Sequence, residues 1–282
     1  MYPFVTHEYR TLFVHHFSGG AVSKDGNFEL LPDKRAVLVG MKPVLNSQEI
    51  TDFGELAPGT DITATHATLK ESGVHTVQYD YIREDSPLFA TLSKLPGAHT
   101  PIQQETSPSI ALPANWEGYL ESLDRTDRKE LKRKFKRLDT VPHAFQVVRT
   151  ITEADFAQFI HLHRISDTAK NQFMTDPMKE FFWDLVQLSI PGWSQTLATL
   201  TLNNSVSASV LLFENNDQVL MYNSGYDPEQ KFYSVGLLLK AWIIKYAIES
   251  GKKIVDFLRG NERYKYDLGA KDVKLYRFIL SV

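Results

Sequence analysis

The stretch from Trp193 to Gly260 constrains the fold more than any other part of the chain. WSQTLATLTLNN, SVSASVLLFENN and QVLMYNSGYD are three runs of strand-forming residues. Asn203-Asn204 and Asn215-Asn216 stand between them, and asparagine tolerates the backbone angles that tight hairpin turns demand. The meander leads into SVGLLLKAWIIKYAIESG, a long apolar helix with Gly251 just past its end, and then into the strand KIVDFLRG. Upstream, FQVVRTI reads as a strand. TEADFAQFIHLHRISDTAK opens with Thr152 and Asp155 at capping-box spacing and carries a helical period. DPMKEFFWDLVQLSI is a further helix, with Pro177 near its first turn and Pro191 beyond it. NERYKYDLGA reads as a short helix or loop, and LYRFILS as a last strand. Residues 144–282 thus run β α α β β β α β α β, an α+β domain on a mixed sheet.

Two stretches punctuate what precedes. MKPVLNSQEITDFGELAPGTD (41–61) is rich in turn formers and has no clear period. LPGAHTPIQQETSPSIALP (95–113) holds four prolines, which rule out a helix and suggest a crossing segment. TLFVHHF, RAVLVG and VHTVQYDYI read as β-like and SPLFATLSKL as helical, so residues 1–110 form a smaller α+β unit in this reading. Between the two units, 111–143 contain the end of the proline-rich segment and NWEGYLESLDRTDRKELKRKFKRLD. Leu131, Phe135 and Leu138 recur there at helical spacing, marking an amphipathic helix or helix pair. From Asp124 to Asp139, eight Lys or Arg face four Asp or Glu. Such a run is ordinarily a solvated face; the functional alternative is a cradle for a phosphate-bearing ligand.

Composition removes several classes. An apolar fraction of 43% over 282 residues is enough to fill a core. A net charge of −3 gives no reason to expect DNA as a partner. The absence of cysteine excludes disulfides, thiolate nucleophiles and cysteine-ligated zinc. His161 and His163, two apart, do not share a helix face, so no metal is expected. Ser224-Gly225 lacks the G-x-S-x-G surround of a nucleophile elbow. MYPFVTHEYR has no charged segment followed by an apolar one, and the apolar helix 236–248 is short and interrupted by Lys240 and Lys245. These features suggest a cytoplasmic protein without a transmembrane segment, with peripheral attachment at the inner face of the membrane as the variant.

The chemistry concentrates in VDFLRGNERYKYDLGA (255–270). Asp256 and Arg259 stand at the end of a strand that reads as buried, and Glu262, Tyr264, Lys265, Tyr266 and Asp267 follow at once. The plain reading is a turn closed by ion pairs, including one between Asp256 and Arg259. The other is the rim of an active site, where carboxylates, an amine and phenols are available to move protons.

The element order of 144–282 is similar to that of the GNAT acyltransferase fold. Residues 107–282 more specifically resemble its FemAB/CelD-like branch, in SPSIALPANWEGYLESLDRTDRKELKRKFKRL, in LHRISDTAKNQFM, and in the run from YNSGYDPEQKFYSVG to DFLRGNERYKYDLGA. That branch often carries two GNAT-like halves, which makes the first hundred residues a degenerate N-terminal half. Two positions depart from the pattern. Ser234 replaces the first glycine of the pyrophosphate loop in Lys231-Phe-Tyr-Ser234-Val235-Gly236, and Asn261 stands where an acidic residue commonly precedes Glu262.

The resemblance implies an N-acyltransferase moving an acyl group, acetyl first among them, from acyl-CoA to an amine of a sugar, peptide or cell-envelope precursor, without a metal or a covalent enzyme intermediate. Lys231, Ser234, Val235 and Gly236 would hold the donor at a helix N-terminus, and backbone N–H groups near Tyr222 and Asn223 would meet the oxyanion. Asp256, Glu262, Lys265 and Tyr264 would serve proton transfer, while His163, Arg164, Arg259 and Tyr266 would face the acceptor. The plainer readings are a helix cap at Ser234 and a core or surface histidine at 163. Ser234 and the basic helix also fit an aminoacyl transferase that takes its amino acid from charged tRNA. A degenerate donor loop would equally suit a non-catalytic scaffold in polysaccharide biosynthesis.

Overall fold

The computed structural model describes residues 1–42, 44, 50–95 and 100–282; parts of the turn-rich 41–61 stretch and of the proline-rich 95–113 stretch lie outside them. The chain divides into two units, 1–107 with 273–282, and 108–272. The last strand therefore belongs with the first unit, and the expected 144–282 domain loses it.

The first unit contains α1 (His7–Phe17), β1 (Phe28–Leu30), β2 (Arg35–Leu38), α2 (Ile62–Glu71), β3 (Thr76–Arg83), α3 (Pro87–Leu92) and β4 (Ile102–Thr106). Its sheet is completed by the C-terminal strand Lys274–Ser281, β11 in chain order, giving β1-β2-β3-β11-β4. TLFVHHF is helical rather than β-like. Thr6 accepts a hydrogen bond from the Tyr9 N–H at 3.3 Å, and Tyr9, Arg10 and Phe13 bury one face of the helix it starts. Asp80, buried on β3, is held by Gln104 Nε2 at 3.0 Å and by Arg277 of β11.

The second unit runs β5 (Ser109–Ala111), α4 (Trp116–Ser122), α5 (Arg125–Leu138), β6 (His143–Val148), α6 (Glu153–Ser166), α7 (Thr168–Phe173), α8 (Asp176–Gln187), β7 (Ser194–Leu202), β8 (Ser205–Glu214), β9 (Gln218–Tyr226), α9 (Val235–Glu249), β10 (Ile254–Asp256) and α10 (Arg263–Asp267). The sheet order is β5-β10-β9-β8-β7-β6, and only the β10–β9 pair is parallel. Asn203 and Asn204, at φ 48° and 64°, make the β7–β8 hairpin. Thr152 and Asp155 form the expected capping box of α6.

α9 is apolar nearly all round because it lies in the core. Leu238, Ala241, Ile244 and Ala247 pack with Leu200, Val210, Val219 and Met221 from one face of the sheet. α6 and α8 cover the other face. Trp242 stacks on Phe145 with ring centroids 5.8 Å apart, tying α9 to the β6 edge.

Candidate active site

One irregularity in β9 organises the site. Register with β8 shifts between Leu211 and Leu212: Leu211 faces Asn223, Leu212 faces Met221, and Tyr222 is the extra residue of a bulge. A bulge sends two neighbouring side chains to the same face. Tyr222 stacks on Phe182 of α8 with centroids 5.6 Å apart, and Asn223 Oδ1 lies 3.1 Å from His163 Nε2 on α6. Gly225 points the same way, where a Cβ would overlap the His163 backbone nitrogen, so only glycine lets α6 come this close.

Backbone polarity follows from the register. Asp227 donates its N–H to Ser207 O at 2.8 Å, and alternation along an antiparallel pair commits residues 225 and 223 to β8 as well. The N–H and C=O groups of Ser224 and Tyr226 therefore face the opposite edge. β10 pairs with β9 only from Gln218 to Leu220 and stops at Asp256, so that edge is open beyond Leu220. The two strands part there, and the parting is the candidate acyl slot. The backbone donors that face it are Ser224 and Tyr226 N–H, whereas the Asn223 N–H expected for the oxyanion is spent on β8.

Lysines fill the walls of the slot. Lys170, on α7, donates to Ser224 O at 2.5 Å, and burial lowers its pKa from the usual lysine value. Lys265, on α10, is 1% exposed and wrapped by the loop before it: Nζ donates to the carbonyls of Leu258 (3.0 Å), Arg259 (2.7 Å) and Gly260 (3.0 Å) and pairs with Glu262 at 3.0 Å. With Nζ engaged by three carbonyls and a carboxylate, Lys265 holds the loop in place. Asp256, also 1% exposed, accepts the Leu258 N–H at 2.8 Å and fixes that residue at φ 59°. The extended backbone of β10 ends at Asp256 and turns at Leu258, before Arg259. Glu262 is the outward carboxylate, its side chain 56% exposed. Burial raises the Tyr264 phenol above its ordinary range, and a hydrogen bond from Tyr266 to Asp272 at 2.7 Å occupies that phenol.

His163 is buried, its pKa pushed down to about 4 by desolvation first and then by the neighbouring Lys170 charge. It supports the bulge from behind, through Asn223. Arg164 turns away from the slot, donating to Met174 O at 2.6 and 3.0 Å to tie α6 to the loop before α8.

The donor loop lies at the start of α9. Ser234 sits at φ 56°, the left-handed region, and makes no side-chain cap, so the capping expectation fails and the first N–H groups of α9 have no side-chain oxygen on them. Lys134 of α5 approaches the Ser234 hydroxyl at 3.4 Å, and Arg137 donates to Phe232 O at 2.7 Å while lying 4.7 Å over the Phe232 ring. Lys231 is exposed beside them. A cleft of about 470 Å³ next to the loop is lined by Lys129, Arg133 and Lys134 together with Asp127, Glu130 and Asp267, and by Leu237 of α9; Glu130 pairs with both Arg133 (2.7 Å) and Lys134 (2.9 Å). The uncapped N–H groups at the start of α9 and the small residues Ser234 and Gly236, with the exposed Lys231 beside them, fit a phosphate-bearing donor.

The description "Acetyltransferase (GNAT) domain" matches residues 125–266, half of the chain. The chain belongs to the GNAT family. FemX superposes on this GNAT protein with a TM-score of 0.59 at 13% identity, over 93% of this chain and 87% of FemX. L-PGS from Bacillus licheniformis gives 0.58 at 11% identity, over 97% of this chain and 91% of that one. The C-terminal DUF2156 domain of an Agrobacterium fabrum protein gives 0.60 at 11%, over 92% and 82%. At these identities the likeness is one of fold, and it extends across both units, a tandem GNAT-like architecture. No curated protein sequence matches the chain.

Sequence reasoning does not mark two lysines of this GNAT protein, Lys170 at the slot and Lys240 on the buried side of α9. Lys170 was unremarkable within AKNQF, and Lys240 read only as a polar interruption of an apolar helix. A lysine on the inward stripe of a core helix was the available signal for the second.

Proposed function

We propose that this GNAT-family acyltransferase moves an acyl group from acyl-CoA to a primary amine of a sugar, peptide or envelope precursor, by direct attack with donor and acceptor both bound. The observation that carries the reading is the parting of β9 and β10 beyond the Tyr222 bulge, with the uncapped start of α9 alongside. A bound acyl-CoA supplies an electrophilic thioester carbonyl. Lys134, Lys231 and the first N–H groups of α9 bind its phosphates, and the outward N–H of Ser224 offers the oxyanion a donor, a contribution on the order of 3 kcal/mol. Glu262, at the mouth, attracts the acceptor's ammonium and orients it toward the slot. Tyr264 lies beside the departing sulfur, and Arg259 and Tyr266 flank the acceptor's path.

A charged tRNA is the second reading. It is favoured by the basic face of α5, which reaches the donor loop through Lys134 and Arg137, and by Lys170 already occupying the Ser224 carbonyl on the open edge.

Calorimetric titration with acetyl-CoA, desulfo-CoA and a charged tRNA separates the readings. Saturable CoA binding that is lost in Lys134→Ala/Ser234→Asp supports the first. Salt-dependent tRNA retention without CoA binding supports the second. No binding of either by folded protein removes acyl transfer and leaves the scaffold. With a working donor, Glu262→Gln should lower kcat at least tenfold without loss of fold. Asp256→Asn keeps an oxygen for the Leu258 N–H, so a comparable loss there would assign its charge to the reaction.

A further inference from the structure

Lys240 is a buried ionisable group that the proposed reaction leaves without a task. It sits in the second turn of α9, on the core side, and is 7% exposed. Its Nζ donates to Gly236 O at 3.2 Å and lies 4.8 Å from the centre of the Tyr264 ring. Both neighbours belong to the candidate site: Gly236 closes the donor loop, and Tyr264 stands on the short helix that follows the slot.

Three facts bear on the charge of this amine. One carbonyl serves a group that carries three N–H bonds when protonated, so burial is poorly compensated. The charged groups close enough to act on it are Lys170 from α7, Lys265 from α10 and Glu262 from the loop between β10 and α10: two cations against one carboxylate. That carboxylate is already paired with Lys265 at 3.0 Å and is largely in water. The Tyr264 ring face favours the ammonium, but burial and the like charges outweigh it, and the pKa is lowered to about 7, by desolvation before any other cause. A lysine amine in this range is a proton acceptor at neutral pH. Glu262, paired with Lys265 at 3.0 Å and largely in water, attracts an ammonium at the mouth of the slot.

We propose that Lys240 is the base that takes the proton from the acceptor's ammonium in the acyl-transfer step. Glu262 brings the ammonium in, and one proton passes to Lys240 Nζ. The freed amine attacks the acyl carbon; the C–N bond forms and the bond from that carbon to the donor's sulfur or oxygen breaks. The second proton of the reacting nitrogen goes to the leaving atom, and Lys240 returns its own to water when the products depart. The proposal rests on the acyl-transfer reading and assigns that reading its base.

The test has two arms. The first is an NMR titration of protein labelled with 13C-lysine, with Lys240→Met identifying the resonance. A Cε signal that titrates between pH 6 and 8 and vanishes in the variant is expected; a Lys240 signal that stays cationic to pH 9 overturns the proposal whatever the donor. The second compares wild type, Lys240→Met and Lys240→Arg with the donor that calorimetry identifies. Expected are unchanged donor affinity, a loss of kcat of at least a hundredfold at pH 7.5 in both variants, and disappearance of the acid limb of kcat/KM. Lys240→Met should also unfold at higher denaturant than wild type, which separates lost chemistry from a lost fold. Donor binding with the acid limb intact in Lys240→Met overturns this assignment alone. Absence of binding by acetyl-CoA and by charged tRNA overturns the acyl-transfer reading and this assignment with it.

Discussion

His163 shows how much a single side chain can reveal about its surroundings. With a pKa near 4 in the fold against an ordinary 6.5, the unfolded chain binds the extra proton between those values. Stability is therefore fully present above about pH 6.5 and is lost as pH falls toward 4, by about 3 kcal/mol. Urea unfolding at pH 7.5 and pH 4.5 should show that component in wild type and lack it in His163→Gln, whose amide can still meet Asn223. An equal loss in both proteins would mean the histidine is not buried as described. Glu214 makes a parallel case at the far end of β8. It is 4% exposed, bonded to Tyr246 OH at 2.8 Å and Arg149 at 3.0 Å, and near Lys252 at 3.8 Å. Glu214→Ala should cost about 1.5–3 kcal/mol, since it strands a buried charged network. Arg149→Ala should cost below about 1 kcal/mol, because that guanidinium is 64% exposed.

At the level of elements, what the sequence makes legible is what local chemistry fixes. The asparagine pair at 203–204, the Thr152/Asp155 box and Gly251 at φ 71° beyond α9 each act within a few residues of their own position. The misread helix α1 belongs here too: TLFVHHF looks β-like only when cut from Thr6, Tyr9 and Arg10, which give it a cap and a buried face. The bulge at Tyr222 has no such local signature. It arises from a register between β8 and β9 that alternation alone does not reveal, and the close approach of α6 depends on it. Gly225→Ala tests that packing. The added methyl meets helix backbone, which cannot swing aside as a side chain tip can, so a loss of at least about 2 kcal/mol is expected. Hydrogen exchange should quicken in α6 and β9 and leave β6 and β7 unchanged.

Over the whole molecule, the order of elements along the chain misleads in one respect. LYRFILS follows the GNAT domain directly, and chain order assigns it there, but β11 pairs with β3 and β4. Strand pairing is non-local, and nothing within eight residues says which sheet will accept them. The consequence for stability is asymmetric. β11 is an interior strand of the first unit's sheet, with Leu275, Phe278 and Leu280 buried, and without it β3 and β4 have no common neighbour. The second unit keeps every strand of its own sheet when the chain is cut after Asp272. Deleting 273–282 should therefore abolish protection of β2 and β3 amides while leaving β7, β8 and α9 as protected as in the full chain. Loss of protection in both units would mean that the GNAT domain does not fold independently of the strand that follows it. Retention in both would mean that β11 is dispensable to the sheet it divides.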